Sequence, residues 1–450
     1  MPRDDAPRNL LTAPIGSTLT RMTIPTVIGI VSILLFNLAD TYFIGLIGPA
    51  ELAAVSFTFP VCAMLMNVAM GLGIGTAIHI SSRIGRGELA EARRTAAHAL
   101  LLAVSIAIPA GTAGILTLDP LFRLLGATPA TIGLIREYME LWYAGFFLLA
   151  IPMVGNSVMR ATGDTKTPSI IMFLAGLCNG VMDPLLIFGI GPFPRLGIQG
   201  AVIATLISWL IAAIAVLHML IRRRNLMTPS DLLGPRLAHW RSILRVAIPA
   251  TTTNLMTPLA ASVLTAMAAR QGAHAVAGYG VGTRLEAVAL VVIMALASAM
   301  TPFVAQNYGA RQVDRIKAGL RGAILFTLAC EALIALLLLA SGHWLADVFT
   351  DDPRTLQDID WYLRLVPLSY GFQGIVMVSC STLNALHKPL YGTLISSMRL
   401  FVLAVPLAWI GGELYNTPGL FGGVAVANLL AGIFTLIWLG RNFKTLSATE

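Results

Sequence analysis

The chain has 450 residues, of which 56% are hydrophobic and only 12% charged, with a formal net charge of +8. A soluble globular protein carries about 25% charged residues, so composition excludes that class and points to an integral membrane protein. The surplus of base does not indicate nucleic acid, because the basic residues sit in short loops beside apolar runs, where they read as membrane topology.

Residues 1 to 15 form a polar tail. The first apolar run is too long for a signal h-region and no small-residue cleavage site follows it, so no processing is expected. Apolar segments follow at 20–46, 51–80, 96–118, 138–161, 168–190 and 199–221. A basic stretch runs from Arg222 to Arg241, and six more segments lie at 243–269, 275–304, 318–342, 362–386, 390–411 and 418–440. About 20 apolar residues cross the hydrocarbon layer, which makes twelve spans. The expected organisation is a tail (1–15), a first lobe (16–221), a linker (222–241), a second lobe (242–441) and a tail (442–450).

Charge sets the orientation. Arg83, Arg86, Arg93 and Arg94 follow the second segment, Arg160 and Lys166 the fourth, and the arginines of 222–245 the sixth. Arg311, Arg315, Lys317 and Arg321 follow the eighth, Lys388 the tenth, and Arg441 and Lys444 the twelfth. Loops of the other parity are poorer in base, and the one at 343–361 is acidic. Basic loops stay in the cytoplasm, so both termini are expected there.

The two halves match at a constant offset of 224. Arg21 falls on Arg245, Ile24-Pro25 on Ile248-Pro249, Gly48 on Gly272, Gly85 on Gly309 and Tyr138 on Tyr362. Met153-Val154, Ser157 and Ala161 fall on Met377-Val378, Ser381 and Ala385. Each half holds an even number of spans, so the repeats share one orientation and are related by a pseudo-twofold axis along the membrane normal. Parallel repeats of this kind frame a midplane cavity in several transporter folds.

Within the first segment a single carboxylate, Asp40, interrupts the apolar run from Ile24. A charge at that depth costs about 3 kcal/mol on insertion scales. Asp40 is either a helix-end carboxylate that reaches the headgroups or a cation site facing a polar cavity; the second reading is the stronger. In the fifth segment Asn179 and Asp183 are four apart and share one helix face. Asp40 and Asp183 both lie about 10 Å inside the outer boundary at about 1.5 Å per residue. Oxygen ligands at one depth suit a hard cation, while paired carboxylates hold a proton between them. At the 224 offset Asp40, Asn179 and Asp183 become Leu264, Leu403 and Leu407, so the second lobe lacks this set.

The second lobe has Arg284 and Glu286 in its eighth segment. Two residues apart, they do not face each other on a helix. Glu286 is either a substrate-attracting acid or half of an inter-helix salt bridge, with Arg399 one candidate partner. The four cysteines stand singly in apolar segments and form no metal or disulfide pattern. No Walker lysine, HExxH or nucleophile elbow occurs. An enzyme is not expected, nor is any cofactor beyond a coupling ion, and an ion gradient is the expected energy source.

Several of these residues together resemble the multidrug and toxic compound extrusion (MATE) family, closest to its DinF-like branch. They are the Pro25–Asp40 helix, the run Arg160-Ala161-Thr162-Gly163-Asp164-Thr165-Lys166-Thr167-Pro168, Asn179 with Asp183, Gly200-Ala201-Val202-Ile203-Ala204-Thr205, and Arg284 with Glu286. The resemblance implies an all-α, twelve-helix, two-lobe antiporter of the bacterial inner membrane that exports amphipathic, often cationic drugs in exchange for H⁺ or Na⁺. Carried over, Asp40, Asn179, Asp183 and Thr205 form the cation site, with Asp40, Asn179 and Asp183 as metal ligands if the ion is Na⁺. Pro25 is the bending point of the first helix, and Asn156, Arg284 and Glu286 belong to the substrate cavity. A family branch that uses carboxylates in segments seven and ten is not matched, since those segments offer Asn254, Gln373 and Ser379. The expected partners are small drugs and membrane lipids, with no nucleic acid and a monomeric chain. A lipid-linked oligosaccharide flippase of the same superfamily is the alternative; a lipid-modifying enzyme or a passive channel fits less well.

Overall fold

The computed structural model describes residues 10–232 and 236–446. The outermost parts of both expected tails and residues 233–235 of the linker lie outside them. Among the described residues the ordered structure is helical throughout, with no strand. In a membrane this follows from the lack of water to satisfy backbone groups, which a helix satisfies internally.

The chain divides into two compact units. In chain order the first half supplies α1 (Ile15–Ile47), α2 (Pro49–Gly85), α3 (Leu89–Leu116), the short α4 (Leu118–Leu124), α5 (Pro129–Ala161), α6 (Lys166–Phe188) and α7 (Ile198–His218). The second supplies α8 (Arg236–Gln271), α9 (Ala273–Ala289), α10 (Val291–Gly309), α11 (Val313–Phe349), α12 (Pro353–Leu365), α13 (Tyr370–Ala385), α14 (Pro389–Ser397) and α15 (Val405–Leu446). Among the described residues ten stretches are long and apolar enough to cross a membrane. One of them, Pro389–Phe443, is two spans joined at Tyr415 and Asn416, where the backbone leaves helical geometry. α8 is the remaining span, its hydropathy diluted by arginines and by Thr251-Thr252-Thr253-Asn254. The total is twelve, six in each half.

Sequence and structure differ in three of these spans. The eighth is two helices that meet at Leu290, and the tenth is α12 and α13 joined by a 3₁₀ turn at Pro367–Ser369. Pro367 lacks the N–H that would continue α12. In the eleventh, α14 passes into a π-helical stretch, Met398–Ala404, that contains Arg399. The Pro25 position shows no break: α1 runs through it as one helix.

The first unit comprises residues 24–248 and the second residues 10–23 and 249–450, as far as they are described. Each boundary therefore falls at the Ile-Pro pair of its repeat. The start of α1 packs in the second unit, where Leu19 joins the core of α10, α11 and α13. There Asn307 donates to the Leu10 carbonyl at 3.2 Å, and Arg315 binds the Leu10 and Ala13 carbonyls. Reciprocally, the start of α8 packs in the first unit. Ile243 and Ala247 join its core, Trp240 Nε1 donates to the His98 carbonyl at 3.1 Å, and the His98 and His239 rings stack.

The loop between α5 and α6 explains the Arg-Ala-x-Gly-Asp run locally. Gly163 takes a positive φ of 90°, which favours glycine. Asp164 then accepts from the Thr167 amide and hydroxyl at 3.0 and 2.7 Å, capping the start of α6. Arg224 pairs with the same carboxylate at 2.5 Å, tying the first residues of the linker to this loop.

Candidate functional site

In the first unit the packing of α1 on α6 sets the site. Gly29 lies against Ser169, and the Phe36 ring lies on Gly176, where any Cβ would collide with it, and beside Gly180. One turn beyond Phe36, the same register brings Asp40 to the face of α6 that carries Asn179 and Asp183. The Asp40 and Asp183 carboxyls stand close enough to interact directly. Asp183 is fully buried. Asn179 Nδ2 donates to Asp183 Oδ1 at 3.2 Å and to Thr205 Oγ1 of α7 at 3.3 Å. Asp40 Oδ1 and Asp183 Oδ2 are buried with no hydrogen-bond partner.

The structure thus brings Asp40, Asn179, Asp183 and Thr205 together. Asn156 of α5 is buried in the same unit, but it makes no hydrogen bond to these four and its Oδ1 has no partner. Sequence reading missed Tyr138, a buried α5 residue near both aspartates and Cys62. Its signal was available, since Tyr138 is one of the positions the repeat keeps. Among the described residues no three or more His, Cys, Asp or Glu side chains gather as a metal centre.

The second unit holds a separate polar cluster. Glu286 of α9 accepts from the Tyr362 hydroxyl at 2.6 Å and from Gln373 Nε2 at 2.8 Å. Gly282, one turn before Glu286, lets the Tyr362 ring lie directly on α9. Gln373 Oε1 in turn accepts from Asn428 at 3.1 Å, and Asn428 Oδ1 accepts from Arg399 at 3.0 Å. Arg399 therefore reaches Glu286 only through two amides, and the direct ion pair considered from sequence is absent. Arg284 is exposed and makes no ion pair or hydrogen bond with any described residue. Glu331 of α11, which sequence reading also missed, is 1% exposed. It is a lone acid in an apolar run, the same signal that marks Asp40.

These features can be compared with known proteins. The MatE family signature matches this chain twice, at residues 25–185 and 249–410, one copy on each half. The chain belongs to the MatE family. An FAD transporter of Shewanella oneidensis is 43% identical over 441 residues, covering 98% of each chain. The multidrug export protein MepA of Staphylococcus aureus is 22% identical over 97% of each chain. A Vibrio cholerae MATE transporter, VcmN, has a crystal structure that superposes with a TM-score of 0.92 at 30% identity, covering 96% of this chain and 98% of that one. This MatE chain is accordingly a multi-pass transporter with the twelve-helix, two-lobe fold, and not an enzyme.

Proposed function

We propose that this MatE protein is a cation-coupled exporter of amphipathic compounds working by alternating access, with the coupling ion taken by Asp40 and Asp183. One observation carries the reading. Two carboxyls, an amide and a hydroxyl meet inside a membrane-spanning unit, and each carboxyl keeps one buried oxygen without a donor. Carboxylates held together in a low dielectric repel unless a proton or cation lies between them. With the Asn179 amide donating to both Asp183 and Thr205, the arrangement suits a shared proton. Sodium would draw on the carboxylates, Thr205 Oγ1 and Asn179 Oδ1, which requires the amide to turn over. Ion and cargo must disfavour each other's binding for exchange to occur. Pro25 leaves the Arg21 carbonyl without its helical donor, at the place where the chain passes from one unit to the other, and a bend there in the cycle belongs to this reading. The protein would act as a monomer in the bacterial cytoplasmic membrane, with both termini inside.

Two cargo classes follow from two observations. The multidrug relatives support amphipathic, cationic drugs. The relative named as an FAD transporter, together with Arg284, supports a flavin dinucleotide, in which a pyrophosphate joins the flavin and adenosine halves. Arg284 lies about 17 Å along its span from Ala273 at about 1.5 Å per residue. A lone guanidinium at such depth faces water or a ligand, and its forked donors match phosphate oxygens.

The test is uptake into inverted vesicles of FAD and of a fluorescent organic cation, under separate pH and Na⁺ gradients. Uptake driven by either gradient and abolished by Asp40→Asn at equal expression is the expected result; gradient-driven uptake retained in that variant sinks the coupling site. Arg284→Gln should impair FAD far more than the cation. No gradient-driven movement of either compound would favour the flippase alternative.

A further inference from the structure

The proposed coupling site leaves unexplained a second pair of acids in the other unit, the half-buried Glu286 and the buried Glu331. Glu286 and Glu331 lie close enough to repel. Glu286 has donors on both oxygens, from Tyr362 and Gln373. Glu331 has none: both its oxygens are buried without a hydrogen-bond partner, and its Cβ lies beside Gly371 of α13. One turn earlier the Thr327 hydroxyl is likewise buried and unpartnered, so it does not serve Glu331.

The helices packed on α11 supply no compensating charge. From α9 comes Glu286, from α12 Tyr362 and from α13 Tyr370. α10 carries no Asp, Glu, Lys, Arg or His at all, and Cys330 is the titratable neighbour on α11 itself. Arg399 is connected to this group through Asn428 and Gln373, and that chain of amides ends on Glu286. With every group ionised, two carboxylates would face one guanidinium. The donors and the relay favour the charged form of Glu286, which leaves Glu331 as the group that must be neutral.

We propose that Glu331 is a second proton-holding site of this transporter, in the C-terminal lobe and independent of Asp40 and Asp183. Glu286 is its charged neighbour, held by Tyr362 and Gln373. A rearrangement that brings the Arg399 guanidinium or water to Glu331 would release the proton, so a transport cycle has two carboxyl sites to load, one in each lobe. Sodium is the weaker occupant, because Glu286 already spends both oxygens on donors.

The test is infrared difference spectroscopy of the purified, lipid-reconstituted protein, following the protonated-carboxyl band through a pH titration in Na⁺-free buffer. Wild type should show a band component that Glu331→Gln removes, a different component that Asp40→Asn removes, and additive loss in the double variant. Glu331→Asp guards against a variant that fails to fold: it should keep the component at a displaced frequency. A band identical in wild type, Glu331→Gln and Glu331→Asp overturns the proposal. So does a Glu331 component that shifts on adding Na⁺ at constant pH, which would make it a sodium site. The readout needs no transport, so its failure leaves the Asp40 reading untouched, and loss of gradient coupling in Asp40→Asn is silent about Glu331.

Discussion

The two lobes carry the same tyrosine and different acids. Tyr138 and Tyr362 occupy equivalent positions in the repeat, and each stands by carboxyls of its own unit. The acids do not correspond. Asp40 and Asp183 have Leu264 and Leu407 as counterparts, while Glu286 and Glu331 have Cys62 and Ala107. Packing positions survive in both copies because each six-helix unit needs them. A carboxyl inside a membrane protein persists where local donors hold its charge or a proton neutralises it. In the first unit Asn179 donates to Asp183 and to Thr205, where the second has Leu403 and Leu429; in the second Gln373 donates to Glu286 and accepts from Asn428, where the first has Leu149 and Ala204. Each lobe thus built its polar centre with its own donors.

The sharpest way to break that comparison is to move an acid. Leu264→Asp with Leu407→Asp in the Asp40→Asn background should not rescue transport, since no amide or hydroxyl waits at 403 and 429. It should also cost about 3 kcal/mol per carboxyl placed in the span, seen as reduced folded yield in size-exclusion chromatography. Restored gradient-driven uptake would show that the lobes are interchangeable.

A smaller effect compares the tyrosines. Tyr362→Phe removes a hydrogen bond to a carboxylate and should lower stability by about 2 kcal/mol. Tyr138→Phe removes no hydrogen bond to any described residue and should cost less. The unfolding midpoints of the two purified variants check the order, and equal shifts would mean that the ring, not the hydroxyl, does the holding in both.

The smallest effect lies outside the spans, in the linker. Burial acts to raise the Asp231 carboxyl, but donors from Thr228 at 2.6 and 2.7 Å, with Arg93 at 3.4 Å, prevail and hold it below the usual carboxylate range. A group lowered on folding stabilises above its unfolded value and loses that contribution as pH falls through the lowered one. Asp231→Asn should therefore cost under about 1 kcal/mol at pH 7, with the difference from wild type vanishing in acid. A difference that grows in acid would contradict the hydrogen-bond geometry.

Much of this was legible in the chain itself. Hydropathy and the even spacing of basic loops gave twelve spans because the bilayer leaves a helix few alternatives. Asp40, Asn179 and Asp183 were found by charge and depth, since an isolated acid in an apolar run is rare enough to stand out. Glu331 carried the same signal and was passed over, and its partners lie on α9, α12 and α13, far apart in sequence. The break at Leu290 was equally hidden, because the apolar run continues through it without a breaker residue, whereas Pro367 did mark the break at Pro367–Ser369.

By itself, then, the sequence determined the membrane class, the duplication and its offset, and the candidate acids, all of which follow from one-dimensional patterns of apolar length, charge and spacing. Only the tertiary structure decided which acids meet, that Arg399 reaches Glu286 through two amides, and that the starts of α1 and α8 change units at their Ile-Pro pairs. Those outcomes depend on which helix faces pack together, as Phe36 does on Gly176 and Tyr362 on Gly282. Side-chain shape across hundreds of residues of separation sets that packing, and no local pattern records it.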